Sequence, residues 1–166
     1  MAESIRNALN LKKHGNANGG YYGECYLDSA TLTKGQTNVD WLVEKRACSS
    51  HLYFLLVGTN VSKMHRLRCD EGINFYAGNT ALLVNTINAD GTLTTMQLDP
   101  TNFSFYANVP KNSWFGMELA NKKPDSYVLF GSTVAPAFDF KEFEVADPET
   151  LEKLYPQHTD LIKKFT

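Results

Sequence analysis

Short apolar stretches separated by turn residues recur along the middle of this chain. The first of them, His51–Val57, ends at Gly58. Asp90 and Gly91 form a dipeptide that is typical of a β-hairpin turn. Several short strands joined by turns predict an all-β sandwich or barrel. Further strands are expected at Ala81–Ile87, Leu93–Leu98, Phe103–Val109, Trp114–Leu119 and Ser126–Val134.

The two ends of the chain carry helical signals instead. Residues 4–13 predict a short helix with Ser4 as its N-cap. Near the other end, Asp147 can cap a helix and Pro148 suits the first helical position. Residues 159–165 predict one or two more helical turns. We therefore expect a β domain with a short helical segment at each end.

Composition narrows the class of protein. The chain has 166 residues and is 43% hydrophobic, which suits a single domain over residues 1–166. The net charge is −2 and no basic block is present, so nucleic acid is not an expected partner. No apolar stretch approaches the roughly 18 residues of a membrane span, so no membrane partner is expected either. The three cysteines have no CxxC spacing, which favours a reduced, cytoplasmic location.

One motif in the centre of the chain carries chemical information. The first cupin motif is a glycine, five residues, His-x-His, three or four residues, Glu, six residues and Gly. Gly58, His65, Glu71 and Gly78 resemble it, with one extra residue before the histidine. Leu67 stands where the second histidine belongs. The resemblance implies a small β-barrel with a pocket.

A second segment resembles the other cupin motif, Pro-x-Gly-x-x-His. It begins at Pro110, but Asn112 replaces the glycine and Phe115 replaces the histidine. A cupin metal is held by three histidines and one glutamate, and neither leucine nor phenylalanine can donate a lone pair. We therefore expect no metal and no cofactor. His51, on a neighbouring strand, is the alternative source of a third ligand.

A closer resemblance covers nearly the whole chain. It is to the cupin type 5 family, first catalogued as DUF985. The resemblance implies a double-stranded β-helix (jelly-roll) fold and commonly a homodimer, whereas the activity of the family is not generally established. This chain departs from the family pattern at Asn18, Gly23 and residues 72–74, where Ile73 replaces a tryptophan. The matching segments are Gly19–Tyr22 with Glu24, Tyr53–Leu56, His65–Arg66, Asp70–Glu71, Phe75–Gly78, Pro110 with Trp114, Gly131–Phe140, Phe143–Glu144 and Leu154–Pro156.

Strand alternation extends the motif residues to a predicted pocket. Side chains two positions apart share a face, so neighbours of His65, Glu71 and Phe115 should line the same interior. A few polar groups in apolar walls are the usual make-up of a small-molecule site. The alternative is that these side chains simply fill the barrel. Tyr21, Tyr22 and Glu24 belong either to the pocket mouth or to an edge strand in the dimer. The predicted lining is His65, Leu67, Glu71, Ile73, Phe75, Phe115 and Met117.

Three functions follow as hypotheses. The first is a metal-free protein that binds a small apolar or aromatic ligand, with His65 and Glu71 orienting its polar end. The second is an isomerase or epimerase for a sugar-like or keto substrate, with His65 as general base and a tyrosine such as Tyr76 or Tyr22 as the acid. His65 and Glu71 are the tentative catalytic pair. The third is a structural homodimer without a ligand, in which His65 and Glu71 form only a structural hydrogen bond.

Overall fold

The computed structural model describes residues 1–14, 20–42 and 45–166. The sequence Asn18-Gly19-Gly20 predicts a turn, and its first two residues lie outside the described ranges. The elements in the described residues are helix α1 (Ala2–Ala8), strands β1 (Lys12–Lys13), β2 (Tyr21–Leu27), β3 (Thr31–Leu32), β4 (Arg46–Ala47), β5 (Ser50–Val57), β6 (Val61–Arg66), β7 (Glu71–Gly78), β8 (Leu82–Ile87), β9 (Leu93–Leu98), β10 (Tyr106–Val109), β11 (Trp114–Leu119), β12 (Tyr127–Val134) and β13 (Glu144–Val145), and helices α2 (Pro148–Leu154) and α3 (Thr159–Phe165).

Two antiparallel sheets make up the body of the protein. One has the strand order β1-β2-β5-β12-β7-β10, and the other has the order β13-β6-β11-β8-β9. Strands that are neighbours in a sheet are mostly distant in sequence, as a jelly roll requires. The mostly β architecture with short helices at its ends confirms the predicted fold class. Among the helices of the described chain, none is long and apolar enough to cross a membrane.

The strands confirm most of the apolar pattern, with one shortened element. The strand expected from Phe103 begins only at Tyr106. Asp99 accepts a hydrogen bond from the backbone N–H of Thr101 at 2.9 Å and caps a short 3-10 turn. Phe103 then adopts a left-handed conformation with φ of 60°, which no strand residue has. The local turn therefore overrides the apolar pattern for three residues.

The N-terminal helix is shorter than predicted and starts earlier. Helix α1 has Met1 at its N-cap and makes no side-chain cap hydrogen bond, so Ser4 as N-cap was wrong. Asn10 has φ of +50°, which turns the chain away from the helix and into β1. At the other end Asp147 accepts a hydrogen bond from the N–H of Thr150 at 2.9 Å, as predicted.

The core is divided into two clusters. The larger lies between the two sheets, and the smaller lies between the five-stranded sheet and the C-terminal helices. Gly116 permits the second contact, because a Cβ at this position would lie 2.8 Å from the Phe165 ring. The helices thus cover the outer face of one sheet, and the space between the sheets remains for a core and a pocket.

Candidate functional site

A pocket of about 390 Å³ lies between the sheets at one end of the sandwich. Strands β2, β5, β6, β7 and β12 each contribute side chains to it, and so does the segment that follows β12. Alternation along β5 turns Leu52 and Phe54 into the pocket. Tyr22 and Glu24 of β2 line it as well, so both belong to the pocket wall.

Aromatic rings form much of the wall. Phe138, Phe140 and Phe143 pack on one another, with ring centroids 4.9 to 6.3 Å apart. The Phe143 ring lies 5.0 Å from the His65 ring. On the opposite sheet Phe54 stacks on Phe130 at 5.5 Å, which holds the Phe54 ring in place. These contacts give the pocket an apolar, aromatic surface.

Glu71 is the buried acid of the pocket. It begins β7, and only 6% of its surface is exposed. The Ser132 hydroxyl donates a hydrogen bond to Oε1. Oε2 is buried and has no hydrogen-bond partner among the described residues. Burial raises the pKa of Glu71 to about 7, although the Ser132 hydrogen bond opposes the shift. The carboxyl group is therefore close to half protonated at neutral pH.

His65 is the buried base of the pocket. Its Nδ1 lies 2.7 Å from the Lys63 carbonyl oxygen, which makes Nδ1–H the donor and leaves Nε2 as an acceptor. Burial lowers the pKa of His65 to about 4, the Lys63 carbonyl opposes this, and His14 lowers it further. His65 is thus neutral at physiological pH. Within the described chain no hydrogen bond joins His65 to Glu71.

The structure divides the seven predicted lining residues into two groups. His65, Leu67 and Glu71 line the pocket. The other four do not, and this part of the prediction was wrong. The inward alternation was right, but the pocket ends at Glu71, and the next inward side chains of β7 pack deeper between the sheets. The residues corrected from lining to core are Ile73, Phe75, Phe115 and Met117.

Several pocket residues were not predicted. Ser132 and the three phenylalanines lie in the segment that carried the strongest family resemblance, which was the available signal. His14 had no sequence signal. Its ring meets the Tyr22 ring at 5.0 Å, and its Nδ1 is buried without a hydrogen-bond partner in the described residues. Burial lowers its pKa, so it too favours the neutral form.

The side chains at this site do not fit a metal ion. Phe115 is the register partner of His65, and their ring centroids lie 4.1 Å apart, so an aromatic ring occupies the space beside His65. The alternative third ligand, His51, was wrong. It lies outside the pocket lining and bonds Thr133 at 2.6 Å and Tyr76 at 2.8 Å. The described residues contain no group of three or more side chains able to hold a metal.

Solved structures with the same fold support this architecture. A protein from Shewanella oneidensis is 31% identical, with a TM-score of 0.83, and the match covers 99% of this chain and 96% of that one. A hypothetical protein from Leishmania major is 24% identical, with a TM-score of 0.85 and coverage of 100% and 98%. A cupin 2 conserved barrel domain protein from Rhodopseudomonas palustris is 14% identical, with a TM-score of 0.57 and coverage of 93% and 85%.

The family comparison agrees with the fold. No curated protein is significantly similar to the chain. The family model described as cupin superfamily (DUF985) matches residues 3–146. A cupin fold supports a role in binding or converting a small molecule. The motif residues, the two-sheet architecture and this match lead to one conclusion: the chain belongs to the DUF985 family of the cupin superfamily.

Proposed function

We propose that the protein binds a small ligand with an apolar or aromatic body in the pocket between its sheets, without a metal ion. The single observation that carries the proposal is the pocket itself: aromatic walls surround two buried polar groups, Glu71 and His65. A cavity of this kind matches the usual make-up of a small-molecule site. It also favours a ligand-binding role over a purely structural one.

The walls support an aromatic ligand in particular. Phe54 and Phe143 present rings from opposite sides of the pocket, and a flat apolar ligand between them would bury its faces against both. A sugar would need hydrogen-bonding groups on all sides, whereas seven of the fifteen lining residues are leucines and phenylalanines that offer none. His65 Nε2 and Glu71 Oε2 would orient the polar end of the ligand, because both atoms have no protein partner in the described residues.

Two exposed phenylalanines provide a matched test. Phe140 lines the pocket and is 69% exposed, whereas Phe103 lies outside the pocket lining and is 83% exposed. Replacing either with alanine should have little effect on folding, since neither ring is in the core. We expect native mass spectrometry of the protein from its own source to show a bound compound. Phe140→Ala should lose most of that occupancy, and Phe103→Ala should retain it.

Two results would refute the binding proposal. One is a wild-type protein that carries no compound and whose His65 NMR signals do not shift with any member of a panel of aromatic fragments. The other is equal loss of the compound in Phe103→Ala and Phe140→Ala, because loss at both sites would locate the ligand elsewhere.

A second candidate is an isomerase or epimerase that moves a proton within its substrate. The observation that favours it is Glu71, whose pKa of about 7 suits a group that both accepts and donates a proton at neutral pH. His65, proposed as the base from sequence, is less suited to that role because its pKa is about 4. Ser132 would hold the carboxyl group in position through Oε1.

Exchange of substrate protons separates the two candidates. An enzyme of this kind should incorporate deuterium from heavy water into the bound compound, and Glu71→Gln should abolish the exchange while the compound still binds. A binding protein should return the compound without deuterium. Glu71→Gln leaves Ser132 in place, and the Ser132 hydroxyl can still donate a hydrogen bond to the side-chain oxygen of the glutamine.

A further inference from the structure

The charged side chains that line the pocket in the described residues are all acidic. Glu24, Glu71 and Asp139 line it, and no lysine or arginine does so in the part of the chain that the structure describes. Asp139 is compensated from outside the pocket, because Arg46 Nη2 lies 3.2 Å from its Oδ2. No salt bridge reaches Glu24 or Glu71 from the described residues. Two carboxyl groups thus face the cavity without a cation.

Glu71 is the acidic side chain for which this excess of negative charge matters most. Its Oε2 is buried and lacks a donor in the described chain, although buried polar atoms in proteins are nearly always hydrogen-bonded. Ser132 already serves Oε1, and the neutral tautomer of His65 presents an acceptor rather than a donor. When Glu71 is ionised, Oε2 therefore lacks a hydrogen-bond donor. A positively charged donor would form the strongest bond there and would favour the ionised form.

The aromatic wall favours the same kind of group. Phenylalanine and tyrosine rings attract cations over their faces, an effect that is strongest where water is excluded. Tyr22, Phe54, Phe138 and Phe143 all line the cavity that contains Glu71. A carboxylate or phosphate group would face three acidic side chains, and the described wall offers it hydroxyl groups and neutral histidines but no lysine or arginine.

We propose that the pocket selects an organic cation, an ammonium group carried on an apolar or aromatic body. The ammonium group donates to Glu71 Oε2, and the body lies against Phe54 and the Phe138–Phe143 segment. This inference rests on the proposed ligand-binding function and adds the chemical class of the ligand.

Binding of such a cation should release a proton. Burial holds the pKa of Glu71 at about 7, so part of the population is protonated at neutral pH. A bound ammonium group favours the ionised carboxylate, so affinity should fall as the pH falls below about 7. His65 and His14 are neutral at this pH, so they contribute little charge to the balance between the protonated and ionised forms of Glu71. The titratable groups that face Glu71 or act on it are His65, His14, Glu24, Asp139 and Cys69.

Three small probes with a common phenyl ring test the class of ligand. They are 2-phenylethylammonium, 2-phenylethanol and phenylacetate, measured by isothermal titration calorimetry at pH 8. We expect the ammonium compound to bind on the order of tenfold more tightly than the alcohol, and phenylacetate to bind most weakly. Titration at pH 7 in two buffers of different ionisation enthalpy should reveal proton release with the ammonium compound alone.

Glu71→Gln keeps the shape of the side chain and removes its charge. The variant should lose the tenfold preference for the ammonium compound over the alcohol, and it should lose the proton release. Glu118→Gln is the matched control, because Glu118 is an equally buried glutamate outside the pocket lining. It should bind all three probes like the wild type.

The outcomes separate this inference from the function on which it rests. If 2-phenylethanol or phenylacetate binds as tightly as the ammonium compound, the cation inference is wrong and a ligand pocket still stands. If Glu71→Gln keeps the ammonium preference, the assignment to Glu71 is wrong. If none of the probes binds at millimolar concentration, the cation inference is overturned. The proposed ligand-binding function is then decided by whether native mass spectrometry finds a compound bound to the protein from its own source.

Discussion

Two buried glutamates on different strands show how differently this protein treats the same side chain. Glu71 of β7 is 6% exposed and Glu118 of β11 is 4% exposed. Glu118 has two lysine partners, with Lys122 Nζ 2.6 Å from Oε2 and Lys164 bonded to Oε1. Glu71 has a serine hydroxyl and no cation in the described residues. Two lysines thus compensate the charge of Glu118, whereas the charge of Glu71 has no such compensation from the described residues.

The pKa values follow from this difference. Burial by itself raises the pKa of Glu118, but the hydrogen bonds and charges of Lys122 and Lys164 bring it below its usual value. At Glu71 nothing comparable opposes burial, and the pKa rises to about 7. A buried charge without a partner is costly, and natural proteins place such groups mainly at functional sites. The comparison therefore favours Glu71, rather than Glu118, as the candidate functional side chain.

The largest predicted effect is a gain of stability in Glu71→Gln at pH 8. The pKa of Glu71 is raised from 4.5 to about 7 in the folded state, so wild-type stability is lost as the pH rises between these values. Gln resembles the protonated acid and carries no such penalty. We expect the free energy of unfolding of the variant to exceed that of the wild type by about 3 kcal/mol at pH 8.

Urea denaturation at pH 4 and pH 8 checks this prediction. At pH 4 the two proteins should have similar stability, because Glu71 is then protonated in the folded and unfolded states. A variant that is less stable than the wild type at pH 8 would show that Glu71 is ionised and well compensated. The contrast with Glu118 would then disappear.

The same variant should reveal the titration of His65. The folded-state pKa of His65 is lowered from 6.5 to about 4, so its contribution to stability is lost as the pH falls through this range. In the wild type Glu71 has the opposite slope between pH 4.5 and 6.5, and the two trends largely cancel. Glu71→Gln should lose about 3 kcal/mol between pH 6.5 and 4.

Direct NMR titration of the His65 ring provides the independent measurement. Its carbon-bound protons should show no titration above pH 5 in either protein. A midpoint near the ordinary histidine value would contradict the burial that the structure shows, and with it the expected slope.

A smaller effect of opposite sign is expected for Glu118→Gln. This change removes a charge that two lysines stabilise, so the protein should lose about 2 kcal/mol at pH 7. The loss should shrink in high salt, because both lysine side chains are partly exposed. Thermal unfolding of Glu118→Gln and Glu71→Gln side by side would sharpen the comparison. If the two variants change the unfolding temperature by the same amount in the same direction, the proposed difference between Glu71 and Glu118 is wrong.

The smallest effects are expected for the lysines taken singly. Lys164→Met or Lys122→Met should each cost no more than about 1 kcal/mol, because the other lysine still compensates Glu118. The double variant should cost more than the sum, since Glu118 is then buried without a cation. Additive losses in chemical denaturation would show that each lysine acts independently of the other.

The sequence was sufficient for the fold and for part of the site. Apolar runs bounded by turns located the main strands, with Trp114–Leu119 matching β11 at both ends. Asp147 and Pro148 located α2 in the same way. The resemblance to the cupin motif, together with strand alternation, predicted His65, Leu67 and Glu71 in a pocket, and all three line the pocket of the structure. Local signals of this kind succeed because each depends on residues close together in the chain. The homodimer, the lack of a nucleic-acid partner and the cytoplasmic location stay predictions.

What the sequence by itself determined is the position of the main strands along the chain, which side chains near the motif residues point inward, and the loss of two cupin ligand positions. Only the tertiary structure decided how deep between the two sheets each inward side chain lies. Alternation could not distinguish Glu71 at the pocket from Ile73 in the core, because both point inward along β7. The closing wall at Phe143 and the isolation of Glu71 from every described cation likewise depend on contacts between distant segments. A residue's neighbours across the sandwich, rather than its own strand, fix its charge and its access to a ligand.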